Sequence, residues 1–164
     1  MTISIPNPSS FALKNNSKTE AKITPRLHQE EAINAVVNGF EKVDRGQLIM
    51  ACGTGKTLTS IWIKERLKSG RTLILLPSLN LLSQTLKEWE KASENPLNWI
   101  AVCSDKTVAK KDNNIDEWVV NASDLGISVT NEVQDIRDFL LNSPNGIIFC
   151  TYHSAELISK AQKN

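Results

Sequence analysis

Apolar residues along this chain occur in two alternating patterns. Short continuous apolar runs, each bounded by Gly, Pro or polar residues, predict strands at Gly46–Met50, Thr72–Leu76, Trp99–Cys103 and Ile147–Cys150. Apolar residues spaced three and four apart predict helices at Arg26–Phe40, Leu58–Lys68, Leu79–Lys91, Asn131–Leu141 and His153–Lys163. This spacing predicts that Leu27 of the first helix, and Leu82, Leu86 and Trp89 of the third, face inward. Strands that alternate with helices indicate an α/β fold in three layers, with a mostly parallel sheet. A ligand is then expected at the carboxyl ends of the strands.

Two segments lack this pattern. Residues 1–22 are polar and carry two prolines, so we predict a flexible N-terminal arm ahead of one folded domain at 23–164. Residues 104–131 are also polar and weakly patterned. Because this stretch is long for a connection without structure, we expect part of it to form a short strand or a functional loop.

Composition limits the possible partners. The chain has 164 residues, 40% of them apolar and 23% charged, with a net charge of +1, as is usual for a soluble globular domain. No apolar run is long enough to cross a bilayer, and no secretory signal is visible, so we expect a cytoplasmic protein without a membrane partner. The small net charge gives no overall basic surface, so any contact with DNA has to be local.

The three cysteines show no spacing typical of a metal site. Cys103 and Cys150 each follow an apolar run, and we interpret them as small buried residues of the core in a reducing compartment. Cys52 lies instead in a glycine-containing loop between a predicted strand and a predicted helix.

That loop, Met50-Ala51-Cys52-Gly53-Thr54-Gly55-Lys56-Thr57, carries the chemistry of a phosphate-binding (Walker A) loop. The glycines allow the backbone to approach phosphate oxygens, while backbone N–H groups and the N-terminus of the next helix face the anion. We predict that Lys56 is the catalytic cation at the terminal phosphates and that the Thr57 hydroxyl is a ligand of Mg²⁺. The predicted nucleotide-binding residues of the loop are Cys52, Gly53, Thr54, Gly55, Lys56, Thr57 and Leu58. Met50 departs from the motif, which usually opens with Gly.

The loop by itself does not separate kinases, GTPases, transporters and helicases, but its neighbours narrow the choice. Pro25-Arg26-Leu27-His28-Gln29 resembles the adenine-reading element of superfamily-2 (DEAD/DEAH) helicases and translocases. The resemblance implies that Gln29 reads the adenine edge and that Arg26 frames the nucleotide. Leu75 to Thr85 and Phe149 to Ser154 resemble two later motifs of that superfamily, which touch the DNA backbone. The DNA-binding residues that this implies are Pro77, Ser78, Gln84, Thr151, Tyr152 and His153.

In order and spacing, these segments most resemble the type III restriction-enzyme-like branch, which includes large single-chain restriction–modification enzymes. The resemblance implies the first RecA-like domain of a P-loop motor that uses ATP and Mg²⁺ and contacts double-stranded DNA through the full-length protein. It also implies an Asp-Glu-x-His strand beyond residue 164 and a second motor domain downstream. Asp116-Glu117 does not follow an apolar strand, and we interpret it as a solvated loop or helix cap. We therefore expect the chain to be part of one motor lobe, binding ATP weakly and not hydrolysing it.

Other interpretations stay open at this point. Taken singly, Gln29 could be an ordinary residue of a first helical turn, and Thr151 and His153 could cap the last helix. A small-molecule kinase or metabolic phosphate-loop ATPase is a second possible function, although the stretch after the second strand lacks the arginines such a lid needs. A GTPase is disfavoured because no Asn-Lys-x-Asp box occurs. A non-catalytic nucleotide-binding or interaction module is the third, and the intact Gly55-Lys56-Thr57 argues against it for the parent protein. A preference for adenine that depends on Gln29 would support the helicase interpretation.

Overall fold

The computed structural model describes residues 23–93, 95–104 and 125–163. The predicted arm at 1–22 and Asp116-Glu117 lie outside the described residues. In this part of the chain the helices are α1 (Leu27–Phe40), α2 (Lys56–Leu67), α3 (Leu79–Ala92), α4 (Val133–Asn142) and α5 (Ala155–Gln162), and the strands are β1 (Thr72–Leu76), β2 (Trp99–Val102) and β3 (Ile147–Thr151). A short 3-10 turn, Tyr152–Ser154, joins β3 to α5.

The strands form a parallel sheet in the order β1-β3-β2. β3 is therefore the middle strand although it comes last in the chain, and each of its residues is buried. This explains its uninterrupted apolar sequence, since a strand covered on both faces has no polar side to expose. The predicted α/β fold with a mostly parallel sheet is confirmed.

One face of the sheet packs against α2 and α3. Leu82, Leu86 and Trp89 of α3 lie on this face together with Ile61 of α2 and Phe149 of β3, and all five side chains are at most 2% exposed. Burying an apolar side chain of this size stabilises the fold by about 2 kcal/mol. The helical spacing in the sequence correctly predicted which side of α3 faces inward. α1 then packs on α2.

The opposite face packs against α4 and α5. Ile136 of α4 and Ile158 of α5 cover Ile148 and Cys150 of β3 on this side. Burial, together with the nearby Cys103 thiol, raises the pKa of Cys150 to about 11. Its thiol consequently stays neutral at physiological pH, in agreement with the structural role predicted for it.

Neither α4 nor α5 extends over β1. Leu73 and Leu75 pair in register with Ile148 and Cys150, so their side chains point to the same face. They are nevertheless 46% and 42% exposed. The unbroken apolar run at 72–76 predicts a strand buried on both faces, and this prediction is wrong for β1. Among the described residues, β1 has a hydrogen-bonded neighbour only on its β3 side.

The strand predicted at residues 46–50 is wrong: the structure shows no regular secondary structure there. Leu48 and Ile49 are 41% and 83% exposed. A strand is held by hydrogen bonds to a neighbouring strand, and no described strand lies beside this segment. The segment is apolar, as a strand would be, but an apolar sequence does not by itself provide the neighbouring strand that pairing requires.

Two other sequence predictions are refined by the structure. Of the segment 104–131, the structure describes residues 104 and 125–131, and there an isolated parallel bridge joins Thr130 to Val102. Leu27, predicted on the inward face of the first helix, is 78% exposed because α1 begins there, beyond the edge of its contact with α2.

Candidate functional site

The phosphate-loop segment leads directly into α2. Gly53 and Gly55 have φ of +77° and +80°, a backbone region that L side chains rarely adopt. Gly55 is also the N-cap residue of α2, and no side chain caps this helix end. The first turn of α2 contains no acidic residue, so its free N–H groups and helix dipole present an uncompensated positive end. This arrangement fits a phosphate group.

The charged and hydroxyl groups of the loop are turned back onto the loop backbone. The Lys56 ammonium Nζ donates to the carbonyl oxygen of Ala51 at 3.0 Å and to that of Met50 at 3.5 Å. The Thr54 hydroxyl donates to the same Ala51 oxygen at 2.7 Å. Lys56 is exposed and contacts carbonyls rather than a carboxylate, so exchanging these bonds for phosphate oxygens breaks no ion pair.

Gln29 reaches this loop from α1, across 25 residues of sequence. Its side-chain Nε2 donates to the carbonyl oxygens of Thr54 at 3.1 Å and Gly55 at 3.4 Å, and its Oε1 accepts from the backbone N–H of Arg26 at 2.9 Å. The side chain is only 4% exposed. The structure therefore brings the predicted adenine-reading residue into contact with the predicted phosphate loop, with both ends of its amide engaged.

Further contacts hold α1 against the loop and α2. His28 Nε2 lies 3.2 Å from the carbonyl oxygen of Thr54. Arg66, near the end of α2, forms an ion pair with Glu30 at 2.9 Å and donates to the side chain of Asn34 at 3.1 Å. Exposed ion pairs contribute little stability, typically below about 1 kcal/mol. The contacts of Arg66 matter here because they fix the position of α1 relative to α2, the two helices between which Gln29 lies.

The remaining predicted nucleotide-binding residues surround this contact. Arg26 is the N-cap residue of α1 and its side chain is exposed. Cys52 is exposed in the loop, while Thr57 and Leu58 are half-buried in the first turn of α2. Their roles toward a nucleotide stay predictions.

The predicted DNA-binding segments meet at one edge of the sheet. Leu76 at the end of β1 pairs with Thr151 at the end of β3, so Pro77-Ser78 and Tyr152-His153 leave the sheet side by side. Tyr152 is 57% exposed and His153 is exposed as well. Gln84 lies further along α3, exposed, and donates to Glu88 at 2.9 Å.

Thr151 differs from the others because it is fully buried. Its hydroxyl lies 3.0 Å from the hydroxyl of Ser154, which in turn accepts from the backbone N–H of Ser104 at 2.7 Å. These groups join the ends of β2 and β3. In this conformation the Thr151 hydroxyl is not accessible to DNA, and its predicted DNA contact stays untested.

Two residues that the structure brings to the site are not among the site residues predicted from the sequence. His28 stands beside Gln29 but has no individual motif. Trp89 was predicted only as an inward-facing core residue of α3, yet its indole N–H reaches the first turn of α2. The spacing of apolar residues in a helix predicts which face is buried. It does not predict which acceptor a buried N–H group will bond.

Within the described ranges, none of the helices combines the length and apolarity needed to span a bilayer. In the same parts of the chain, no cluster of three or more His, Cys, Asp or Glu is placed to hold a metal ion.

Comparison with known families agrees with the motif order. A family described as "Type III restriction enzyme, res subunit" matches residues 22–164. The chain belongs to this family.

Relatives in African swine fever virus share most of the chain. The protein named Probable helicase A859L from isolate Tick/South Africa/Pretoriuskop Pr4/1996 is 30% identical over 143 residues, covering 86% of this chain. The same protein from isolate Pig/Kenya/KEN-50/1950 is 28% identical over 141 residues. This chain spans only 15% of the length of these relatives.

Two solved structures of Type ISP restriction–modification enzymes are similar to this chain, both at 32% identity and over 85% of its length. One is a nuclease-deletion mutant of LlaGI in complex with a DNA substrate mimic, with a TM-score of 0.69 and 14% of that chain covered. The other is the ATP-dependent enzyme LlaBIII bound to DNA, with a TM-score of 0.71 and 9% of that chain covered. These similarities show that the described residues have the fold of a RecA-like helicase domain.

Proposed function

We propose that this chain is the ATP-binding part of an ATP-dependent DNA helicase or translocase that acts within a restriction–modification system. The observation that carries the proposal is the contact of Gln29 with Thr54 and Gly55. It joins an amide suited to adenine with a loop suited to phosphates, as binding of one nucleotide requires. A related enzyme, LlaBIII, is ATP-dependent and binds DNA.

In this proposal the Lys56 ammonium leaves the carbonyls of Ala51 and Met50 and neutralises the terminal phosphates. The Thr57 hydroxyl supplies a ligand for Mg²⁺, which screens the charge of the phosphate oxygens when it is bound. The first-turn N–H groups of α2 hold the phosphates in place. Within residues 1–164 the one Asp-Glu pair, Asp116-Glu117, does not follow an apolar strand, so a carboxylate pair for magnesium and the attacking water is not supplied by these residues. We therefore expect this chain alone to bind ATP weakly and to show no useful hydrolysis.

DNA would lie along the edge formed by Pro77-Ser78 and Tyr152-His153. The Ser78 hydroxyl and exposed Tyr152 are suited to the sugar–phosphate backbone, which hydroxyl groups contact without reading sequence. Because the net charge of the chain is only +1, we expect these contacts to matter within a longer protein, as part of a continuous DNA-binding surface. A DNA partner and the free thiols of Cys52 and Cys150 both fit the cytoplasm.

The first test of this proposal is ATP binding by Lys56→Ala. We expect titration calorimetry to give a dissociation constant at least about tenfold weaker than that of the unmodified chain, since a charge-assisted contact contributes about 1.5–3 kcal/mol. Lys64→Ala is the matched control, because Lys64 lies in the same helix at the end away from the loop. Indistinguishable isotherms for Lys56→Ala and the unmodified chain would contradict the proposal.

A further inference from the structure

Trp89 lies in the last part of α3 and is 2% exposed. Its indole Nε1 donates to the carbonyl oxygen of Thr57 and to the hydroxyl oxygen of Ser60, at 3.1 Å each. The Ser60 hydroxyl donates to the same Thr57 oxygen at 2.7 Å. A buried indole N–H has to find an acceptor, and here the acceptors belong to the first turn of the helix that follows the phosphate loop.

The Trp89 ring is itself held by the sheet. It meets Phe149 of β3 edge-on, with ring centroids 5.6 Å apart and an interplanar angle of 78°. Phe149 is fully buried, so the ring has little freedom to rotate or shift. The direction of its N–H is therefore fixed relative to β3, the strand that leads into Tyr152 and His153.

This contact holds the start of α2 from a different helix than Gln29 does. Gln29 holds the carbonyls of Thr54 and Gly55, just before α2 begins. Trp89 holds the carbonyl of Thr57, just after α2 begins. A helix end held only by its own backbone would be free to fray, whereas this one is connected to the core by a directed hydrogen bond.

We propose that Trp89 is a positioning residue for Thr57: its N–H holds the first turn of α2 where the Thr57 hydroxyl meets the magnesium ion of a bound nucleoside triphosphate. This inference rests on the function proposed above. A phenyl ring at this position could still meet Phe149 edge-on, but it has no N–H to donate, so the N–H gives Trp89 a role beyond filling space.

The test is Trp89→Phe, with ATP affinity measured by calorimetry in Mg²⁺ and again in EDTA. The ratio of the two dissociation constants isolates the contribution of the metal. We expect this ratio to fall by about fivefold, the effect of one hydrogen bond, while the affinity in EDTA changes by less than about twofold. Hydrogen exchange at the Ser60 and Ile61 amides should also become faster in the variant without nucleotide.

Trp99→Phe is the matched control. It removes another indole N–H, which donates to Glu90 at 2.9 Å on the surface and away from the loop. We expect the metal-dependent ratio of this variant to equal that of the unmodified chain. Ser60→Ala offers a second variant should Trp89→Phe fold poorly: Ser60 is exposed, its loss removes one acceptor of the same N–H, and we expect the ratio to fall by about twofold.

The possible outcomes distinguish the two claims. A metal-dependent ratio in Trp89→Phe or Ser60→Ala equal to that of the unmodified chain, with ATP still bound, overturns the role of Trp89 and leaves the proposed function standing. Failure of the unmodified chain to bind ATP in either condition overturns the proposed function and this inference with it. A reduced ratio in Trp89→Phe but not in Trp99→Phe supports both.

Discussion

Gln29 makes contacts that a nucleotide would have to replace. Both ends of its amide are engaged by the protein, with Arg26 on one side and the loop carbonyls of Thr54 and Gly55 on the other. A carbon atom added at Gly55 would lie 2.5 Å from Gln29 Nε2, so the two residues are in tight contact. If Gln29 also reads adenine, nucleotide binding and the shape of the loop depend on the same side chain.

We therefore predict that Gln29→Ala affects stability and base preference together. The loop carbonyls and the Arg26 N–H lose partners in a partly buried place, which costs about 1–3 kcal/mol of unfolding free energy. Thermal and urea unfolding would measure this loss, and competition between ATP and GTP would measure the preference for adenine. Gln134→Ala is the control, since Gln134 bonds Asp138 on the exposed side of α4. A variant that is destabilised but still prefers ATP would leave Gln29 with only a structural role.

At the scale of the elements, α3 connects the proposed DNA edge with the proposed nucleotide site. Its N-terminus lies at the predicted DNA edge, where the Ser78 hydroxyl accepts from the backbone N–H of Leu81 at 3.3 Å. Its last part carries Trp89, which contacts the first turn of α2. Leu82 and Leu86, between these ends, are buried against the sheet. A shift of α3 would therefore move groups both at the proposed DNA edge and at the first turn of α2, next to the phosphate loop.

Ser78 has two roles that substitution can separate. We predict that Ser78→Ala lowers the free energy of unfolding by about 1 kcal/mol, because the helix loses its N-cap. Ser78→Asp should restore this stability, since Asp is an equally good cap and complements the helix dipole. If Ser78 touches the DNA backbone, the added carboxylate should nevertheless weaken DNA binding by the longer protein. Equal DNA affinity for Ser78→Asp and the unmodified protein, measured by fluorescence anisotropy, would place the backbone contact elsewhere.

At the scale of the whole molecule, the structure describes no strand paired with the outer side of β1, and apolar side chains are exposed on this strand. Leu73 and Leu75 are exposed on one face of this strand, and Leu48 and Ile49 are exposed in the segment before the phosphate loop. An edge strand with free N–H and C=O groups and apolar side chains readily pairs with another chain. Exposed residues of this kind usually mark a surface that is covered by a partner.

We predict that the isolated chain self-associates through this edge. Substituting both Leu73 and Leu75 by Lys should shift sedimentation equilibrium toward the monomer, since charged side chains on an edge strand oppose pairing. The melting temperature should change little, because both side chains are already exposed. Leu141→Lys is the control, on α4 and 74% exposed. Unchanged association of the double variant would show that another surface is responsible.

Features with local causes could be read from the sequence alone. The predicted bounds of β1 agree with the structure to the residue. The apolar run between Gly70 and Pro77 is too short for a helix, and these two residues end the strand on either side. The phosphate loop was recognised for the same reason: its chemistry depends on glycines, a lysine and a helix start that are neighbours in sequence. The inward face of α3 followed from helical spacing.

What the tertiary structure decided were relations between distant parts of the chain. Only the fold places Gln29 against the loop, puts β3 between β1 and β2, and directs the Trp89 N–H to Thr57. It also leaves residues 46–50 without strand structure, although their sequence favours one. The physical reason is common to all of these: local propensity acts through neighbouring residues, whereas strand pairing and directed side-chain bonds require a partner that only the assembled core brings within reach.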